Sequence, residues 1–72
     1  MEIDFAITGD FIELIKLLKV TAMAENGGHA KLLVDDNLIK VNGVIETRKR
    51  AKLKPGDKIE CPNGTITLYP PG

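Results

Sequence analysis

The chain has 72 residues, of which 43% are hydrophobic and 28% are charged, and its ten basic and ten acidic side chains cancel near neutral pH. This length predicts one small domain close to the lower limit for folding around its own core, and the hydrophobic content argues against disorder. The sequence lacks a run of about 18 apolar residues, so we expect no membrane span. Its N-terminus lacks a cationic stretch followed by an apolar one, so we expect no signal peptide. A single cysteine, Cys61, cannot form an internal disulfide, so we expect a cytoplasmic protein.

The first two elements are predicted from a change in hydrophobic period. Ile3, Phe5 and Ile7 alternate with polar residues, a pattern typical of a half-buried strand. From Asp10 onward the spacing becomes that of an amphipathic helix, with Asp10 as the N-cap and Glu13 completing a capping box. The predicted apolar stripe of this helix comprises Phe11, Leu14, Ile15 and Leu18. Lys16 and Lys19 fall in its C-terminal half, where they suit the helix dipole.

A short second helix is predicted over residues 26–36. Asn26 is its expected N-cap, which places Gly27 and Gly28 in the first turn, where glycine destabilises a helix least. Asn37 is expected to end the segment. We expect the two helices to share one core, formed by Leu14, Leu18, Leu33, Val34, Ile39 and Val41.

Several short strands are predicted after the helices. Asn42 and Gly43 lie between alternating apolar residues and favour a type I′ hairpin turn, because both turn positions need a positive φ. Turn residues recur at 55–57 and 62–64, and the segments after them alternate again. The order of elements predicts an α+β fold, with an N-terminal strand, two short helices, a β-hairpin and further short strands.

Half of the positive charge lies in one short stretch. The five basic residues there are Arg48, Lys49, Arg50, Lys52 and Lys54. Two basic and five acidic residues precede position 31, whereas eight basic and four acidic residues lie between positions 31 and 58. The neutral total therefore hides a bipolar chain, and its local basic field suits a polyanion. The alternative is a solvated loop in which the lysines only maintain solubility.

Three stretches, FIELIKLL, GHAKLLVDDNLIKVNGVIETR and LKPGDKIE, carry a resemblance to a known family. From Phe11 to Ile59 the chain resembles the S-four RNA-binding domain, named after ribosomal small-subunit protein four. The most specific pieces are Ala30-Lys31, the VNG turn and the PGD turn. Over nearly its whole length, including ETRKR, the chain is similar to the short stand-alone YbcJ-like bacterial group.

This resemblance implies a single domain over residues 1–72 with its core at 11–59, in which a helix pair and a hairpin form the αL motif. It implies binding of structured RNA, often ribosomal, without catalysis. We expect a monomer that needs no cofactor. His29 is the only histidine and has no evident metal partners in the sequence, and no nucleophile with a base can be assembled, so we expect neither a metal site nor an enzyme.

The candidate RNA-binding residues are Gly28, His29, Lys31, Arg48, Lys49, Arg50, Lys52 and Lys54. Many members of the family place an arginine near the start of the second helix, whereas here only Lys31 matches a basic position on that helix. The basic loop is therefore expected to dominate, with Arg48 and Arg50 as anchors, because arginine binds phosphate bidentately and stacks on unpaired bases. The amides around Gly28 are either a phosphate site or a flexible helix start. The acidic first-helix side is expected to face away from RNA.

Two alternatives to RNA binding stay open. A β-grasp carrier or interaction domain also begins with a strand and a helix and contains a VNG…LKPGD pattern. Sulfur carriers of that class end in Gly-Gly, whereas the chain ends Pro70-Pro71-Gly72, and the basic stretch has no role in such a protein. The other alternative is a protein-binding scaffold that does not bind nucleic acid.

Overall fold

A computed structural model describes residues 1–71, so Gly72 of the terminal Pro-Pro-Gly lies outside the described residues. The elements are β1 (Glu2–Ala6), β2 (Ile12–Glu13), α1 (Leu14–Val20), α2 (Gly27–Asp35), β3 (Lys40–Val41), β4 (Val44–Ile45), β5 (Lys52–Leu53), β6 (Lys58–Cys61) and β7 (Gly64–Tyr69). The predicted α+β class and the N-terminal strand are confirmed.

The strands form two sheets. Five strands lie in the order β1-β7-β6-β3-β4, and β2 pairs with β5 in a separate two-stranded sheet. β1 runs parallel to β7, with Ile3 opposite Ile66 and Phe5 opposite Leu68, whereas the other pairs are antiparallel. The first and last strands are therefore neighbours, and the small sheet of β2 and β5 joins the start of α1 to the basic stretch.

One core lies between the helices and the large sheet. The most deeply buried side chains are Ile7, Leu14, Leu17, Leu18, Val34, Ile39, Ile59, Ile66 and Leu68. The predicted core of both helices with Ile39 is confirmed, and Val41 packs against it while partly exposed. The buried face of α1 differs from the predicted stripe. It consists of Leu14, Leu17 and Leu18, whereas Ile15 is only partly buried and Phe11 is exposed, because Phe11 precedes the helix instead of lying on it.

The predicted start of the first helix is wrong. Ile12 and Glu13 are extended and pair with β5, so α1 begins at Leu14 and Asp10 is not its N-cap. Glu13 occupies the N-cap position without capping through its side chain within residues 1–71. Backbone carbonyls of the basic stretch replace that cap, since Leu14 N–H donates to the Ala51 carbonyl at 2.9 Å and Ile15 N–H to that of Lys49 at 3.3 Å. Side-chain capping is therefore unnecessary at this helix end.

The second helix begins as predicted. Asn26 Oδ1 accepts a hydrogen bond from His29 N–H at 2.8 Å, and Gly27 and Gly28 form the start of the first turn. His29 Nδ1 in turn accepts from Glu25 N–H at 3.0 Å. The two side chains thus satisfy two backbone amides reciprocally, in the manner of a capping box.

The predicted hairpin turn is also confirmed, because Asn42 has a φ of 53° and Gly43 a φ of 85°. Asn42 further ties the hairpin to the next turn. Its Oδ1 accepts from Lys58 N–H at 2.9 Å, and its Nδ2 donates to Asp57 Oδ1 at 3.0 Å. These bonds hold β3, β4 and β6 in register beneath the helices.

Candidate nucleic-acid interface

A groove of about 530 Å³ lies where the two helices meet the basic stretch. We call it the basic groove, and its lining residues are Glu13, Ile15, Lys16, Lys19, Val20, Lys31, Lys49 and Arg50. Five cations from three separate segments thus face a single carboxylate. Ile15 and Val20 add apolar surface between the charges.

The two helices supply three of the cations in the basic groove. Lys16 and Lys19 are three positions apart on α1 and therefore share one helix face. Lys31 comes from α2, which packs against α1. A β-carbon added to Gly27 would lie 3.9 Å from Lys19 Cδ, so the Lys19 stem passes beside the start of α2. The groove therefore includes the helix pair as well as the loop.

The backbone of the basic stretch is anchored although its charged side chains are exposed. Ala51 and Leu53 are buried and form part of the core. The carbonyls of Lys49 and Ala51 accept hydrogen bonds from the first amides of α1. The backbone that carries Lys49 and Arg50 is therefore fixed to the same helix that carries Lys16 and Lys19.

Three cations of the basic stretch form ion pairs. Arg50 Nε lies 2.7 Å from Glu13 Oε2, Lys49 Nζ lies 3.1 Å from Asp35 Oδ1, and Arg48 Nε lies 2.9 Å from Glu46 Oε1. Exposed pairs of this kind contribute little to stability. They hold the three cationic groups beside carboxylates, however, and so fix where these groups lie on the surface.

The acidic first-helix side is expected to face away from RNA, and the structure places one of its carboxylates, that of Glu13, beside the basic stretch. The β2–β5 pairing brings this carboxylate beside Arg50 and opposite Lys52. The hydrogen bond from Arg50 lowers the pKa of Glu13, and the charges of Arg50, Lys52 and Lys16 add to that effect, so the carboxylate stays ionised. The same bond raises the pKa of Arg50.

Only part of the predicted set comes together in the basic groove. Lys31, Lys49 and Arg50 line it, whereas the other five candidates lie outside its lining. Arg48 is exposed and paired with Glu46. Lys54 N–H donates to Asp57 Oδ2 in the turn that precedes β6.

The other three candidates lie at two further places. The Lys52 ammonium lies over the Phe11 ring, 5.0 Å from its centroid. Gly28 and His29 lie in the first turn of α2, where the His29 ring accepts the Glu25 amide. Gly28 is exposed, and its N–H is one of the first-turn amides that have no hydrogen-bond acceptor within the helix.

Sequence reasoning missed Lys16 and Lys19 as groove residues. Both were assigned to the helix dipole of α1, yet the structure places them across from Lys31 and Arg50. The two lysines are three positions apart and do not belong to the buried face formed by Leu14, Leu17 and Leu18. This spacing indicates a shared basic face on α1.

The remaining reactive groups lie elsewhere. Burial raises the pKa of the Cys61 thiol to about 11, so it is protonated at neutral pH and packs against the core as a small apolar group. Within residues 1–71, no cluster of three or more histidine, cysteine or acidic side chains is arranged to hold a metal ion. None of the helices described there is both long and apolar enough to cross a membrane.

A two-helix motif with a hairpin and a basic groove defines the S4 domain class, and the chain belongs to this family, whose model matches residues 5–69. The chain is similar to YbcJ of Escherichia coli K12 and of Shigella flexneri, at 40% identity over 57 residues that cover 79% of this chain and 81% of each relative. The solution structure of E. coli YbcJ, described as revealing an αL motif involved in RNA binding, matches with a TM-score of 0.71 and 30% identity. That match covers 92% of this chain and 85% of YbcJ. The predicted αL-motif fold is confirmed, and the β-grasp alternative is set aside.

Proposed function

We propose that this chain is a non-catalytic RNA-binding module, a single domain over residues 1–72, that holds structured RNA of the ribosomal kind in the basic groove. The observation that carries this proposal is the convergence of five cations from α1, α2 and the basic stretch in one groove. The αL motif that E. coli YbcJ shares with this chain is described as involved in RNA binding, which supports the same role here. In this proposal the chain acts as a cytoplasmic monomer.

The cations have different tasks in this proposal. Arg50 exchanges its bond with Glu13 for a bidentate contact to a phosphate, whereas the lysines act as point charges along the backbone. Lys49 makes a similar exchange with Asp35. Arg48 and Lys54, which lie outside the groove, add long-range field and secondary phosphate contacts. Gly28 and His29 follow Gly27, which lies beside the Lys19 stem, and in this proposal they add secondary contacts at the first turn of α2.

The geometry of the groove favours folded RNA over plain duplex DNA. Its cations come from three segments of the chain and are grouped in one groove, so they suit a bent or compact phosphate backbone better than a straight one. RNA is recognised largely through shape, splayed bases and the 2′-hydroxyl. The module is proposed as non-catalytic because the groove lining offers a single carboxylate, that of Glu13, and this group is already bonded to Arg50.

The experiment compares two double variants with the same change of charge. Lys16→Gln with Lys19→Gln removes two groove cations, whereas Lys40→Gln with Lys58→Gln removes two exposed cations of the large sheet. Both variants and the wild type are titrated against ribosomal RNA fragments at several salt concentrations, after circular dichroism shows that they are folded.

The groove variant should bind every fragment more weakly, and its log–log salt slope should flatten by about 1.4 to 1.8, the contribution of two phosphate contacts. The sheet variant should keep nearly the wild-type slope. Equal slopes for the two variants would contradict the groove as the RNA surface, and a wild type that binds no RNA would contradict the function itself.

A further inference from the structure

A second groove, of about 310 Å³, opens beside the basic groove. We call it the Phe11 groove, and its own walls include Phe5, Thr8, Phe11 and Ile12. Glu13, Lys16 and Val20 line both grooves, so the two adjoin each other. Five of the residues that line the basic groove are cations, whereas most of the residues that line the Phe11 groove are apolar.

Phe11 is the unusual residue of this second groove. The chain has only two phenylalanines, one tyrosine and no tryptophan, yet Phe11 is 43% exposed. The Lys52 ammonium lies over its ring at 5.0 Å from the centroid, which is cation–π geometry. The ring is thus held at the surface by a cation and by the β2–β5 sheet, instead of being buried on α1.

We propose that the Phe11 groove receives one unpaired nucleobase, stacked on the Phe11 ring, from the same RNA whose phosphates lie in the basic groove. This inference rests on the proposed function and adds a base-binding subsite to it. Every nucleobase has a flat π-face, and stacking on an exposed aromatic ring is a general way of holding unpaired bases. The Thr8 hydroxyl and the Glu13 carboxylate in the same groove offer hydrogen-bonding groups to a base edge.

The adjacency of the two grooves argues for a base over an apolar peptide. A base enters the apolar groove attached to a phosphate on either side, and Lys16 lies where the two grooves join. Lys52 adds a second cation beside the ring. An apolar peptide would match the walls of the Phe11 groove but would gain nothing from these cations. The charge therefore selects a nucleotide.

Three RNAs test the subsite: a duplex with one bulged adenosine, the same duplex with an abasic bulge, and the fully paired duplex. Phe11→Ala should weaken binding of the bulged RNA by roughly 5- to 150-fold, the range for loss of one base–aromatic stack. Binding of the abasic and paired RNAs should change less than about twofold, because the effect of the ring depends on the base. Phe11→Tyr, which keeps a ring, should bind the bulged RNA nearly as the wild type does. Val44→Ala, an exposed apolar residue of β4 outside both grooves, is the matched control and should change none of the three.

Two results would overturn the subsite. In one, a folded Phe11→Ala variant binds the bulged RNA as tightly as the wild type does; in the other, its affinity falls equally for all three RNAs. In either case RNA binding by the basic groove stands. A wild type that binds none of the three RNAs contradicts both proposals.

Phe11→Trp gives a second test that does not depend on removing the ring. It would be the only tryptophan of the chain, so its fluorescence reports this groove alone. The bulged RNA should quench it and the abasic RNA should not. Equal responses to the two RNAs, or a response to an apolar peptide in place of RNA, would overturn the subsite.

Discussion

Arg50 donates a hydrogen bond from Nε to Glu13 Oε2 at 2.7 Å, although 37 positions separate the two residues in the chain. This bond joins the basic stretch to the residue that precedes α1. Both side chains line the basic groove, where Glu13 is the only carboxylate and Arg50 the only guanidinium among the lining residues. In the proposed complex with RNA, a phosphate and Glu13 would therefore compete for the same donor.

Replacing Glu13 by glutamine should tighten RNA binding. The amide oxygen of glutamine still accepts the Arg50 hydrogen bond, whereas the negative charge beside the phosphates is gone. We expect affinity to rise by roughly two- to fivefold, the range for one exposed charge interaction, with a steeper dependence on salt. Glu60→Gln, the same change on β6 outside the groove, is the control and should have a smaller effect. Weaker binding by the Glu13 variant would show that Arg50 needs the carboxylate to hold its position.

The same pair predicts how stability depends on pH. Arg50 holds the pKa of Glu13 below its ordinary value of 4.5 in the folded chain. On acidification Glu13 therefore takes up a proton more readily in the unfolded chain than in the folded one. The contribution of the pair to stability is present above pH 4.5 and is lost as the pH falls through the lower pKa of the folded chain. Thermal unfolding from about pH 7 to about pH 3 should show the wild type losing more stability than Glu13→Gln. Parallel curves for the two proteins would contradict this contribution.

The hairpin turn should be sensitive to a β-branched residue. Gly43 has a φ of 85°, a region that valine resists, so Gly43→Val should lower the free energy of unfolding by about 1 kcal/mol or more. Gly9→Val is the matched control, because a β-carbon there has no heavy atom within 4 Å and Gly9 is not among the positive-φ residues of the described chain. Chemical denaturation measures both, and an unchanged midpoint for Gly43→Val would contradict the strain.

Truncating the buried face of α1 should destabilise the chain far more. Leu17 and Leu18 are both fully buried, and replacing either by alanine should cost about 2–5 kcal/mol. In a chain this small, a loss of that size is comparable with the whole free energy of unfolding. Leu32→Ala removes the same side chain from an exposed site on α2 and should change stability by less than about 0.5 kcal/mol. Similar midpoints for the Leu18 and Leu32 variants would contradict the packing.

The sequence predicts the features that depend on near neighbours. Asn26 caps α2 because its acceptor reaches His29 N–H three positions on, and the Asn42-Gly43 pair makes its turn from its own backbone preferences. The apolar spacing of α1 and α2 likewise identifies Leu14, Leu18, Leu33 and Val34, which the two helices contribute to the core. These relationships span a few residues, so a pattern in the sequence is enough to find them.

The features that the sequence does not reveal depend on residues that are far apart. Residues 12–13 pair with β5, and carbonyls of the basic stretch accept the first amides of α1, so the helix begins later than its periodicity predicts. Phe11 is therefore a surface residue instead of a core residue. Packing between distant segments brings Glu13 to Arg50 and places Lys16 and Lys31 in one groove. Hydrophobic periodicity describes each of these segments by itself and does not show how they pack. Charge counting therefore finds the basic stretch but not the helix cations that complete the groove.

The basic stretch itself gives the last prediction. Replacing Arg48, Lys49 and Arg50 together by alanine should leave the fold intact, because these residues are exposed while Ala51 and Leu53 anchor the backbone. If the wild type contacts about four phosphates, its log–log salt slope should be roughly −3 on single-stranded RNA or −4 on a duplex, and the triple variant should have a flatter slope. It should also bind every RNA more weakly, as measured by titration against ribosomal RNA fragments.

Two single variants then separate the groove from the rest of the stretch. Arg48 and Arg50 are both exposed arginines paired with a glutamate, but only Arg50 lines the basic groove. Arg50→Gln should therefore reproduce most of the loss seen in the triple variant, whereas Arg48→Gln should lose only its share of the long-range field. Both variants remove one charge, so net charge cannot account for a difference between them. Equal losses would mean that the stretch acts as a diffuse field, and wild-type affinity in the folded triple variant would mean that it is only a solvated loop.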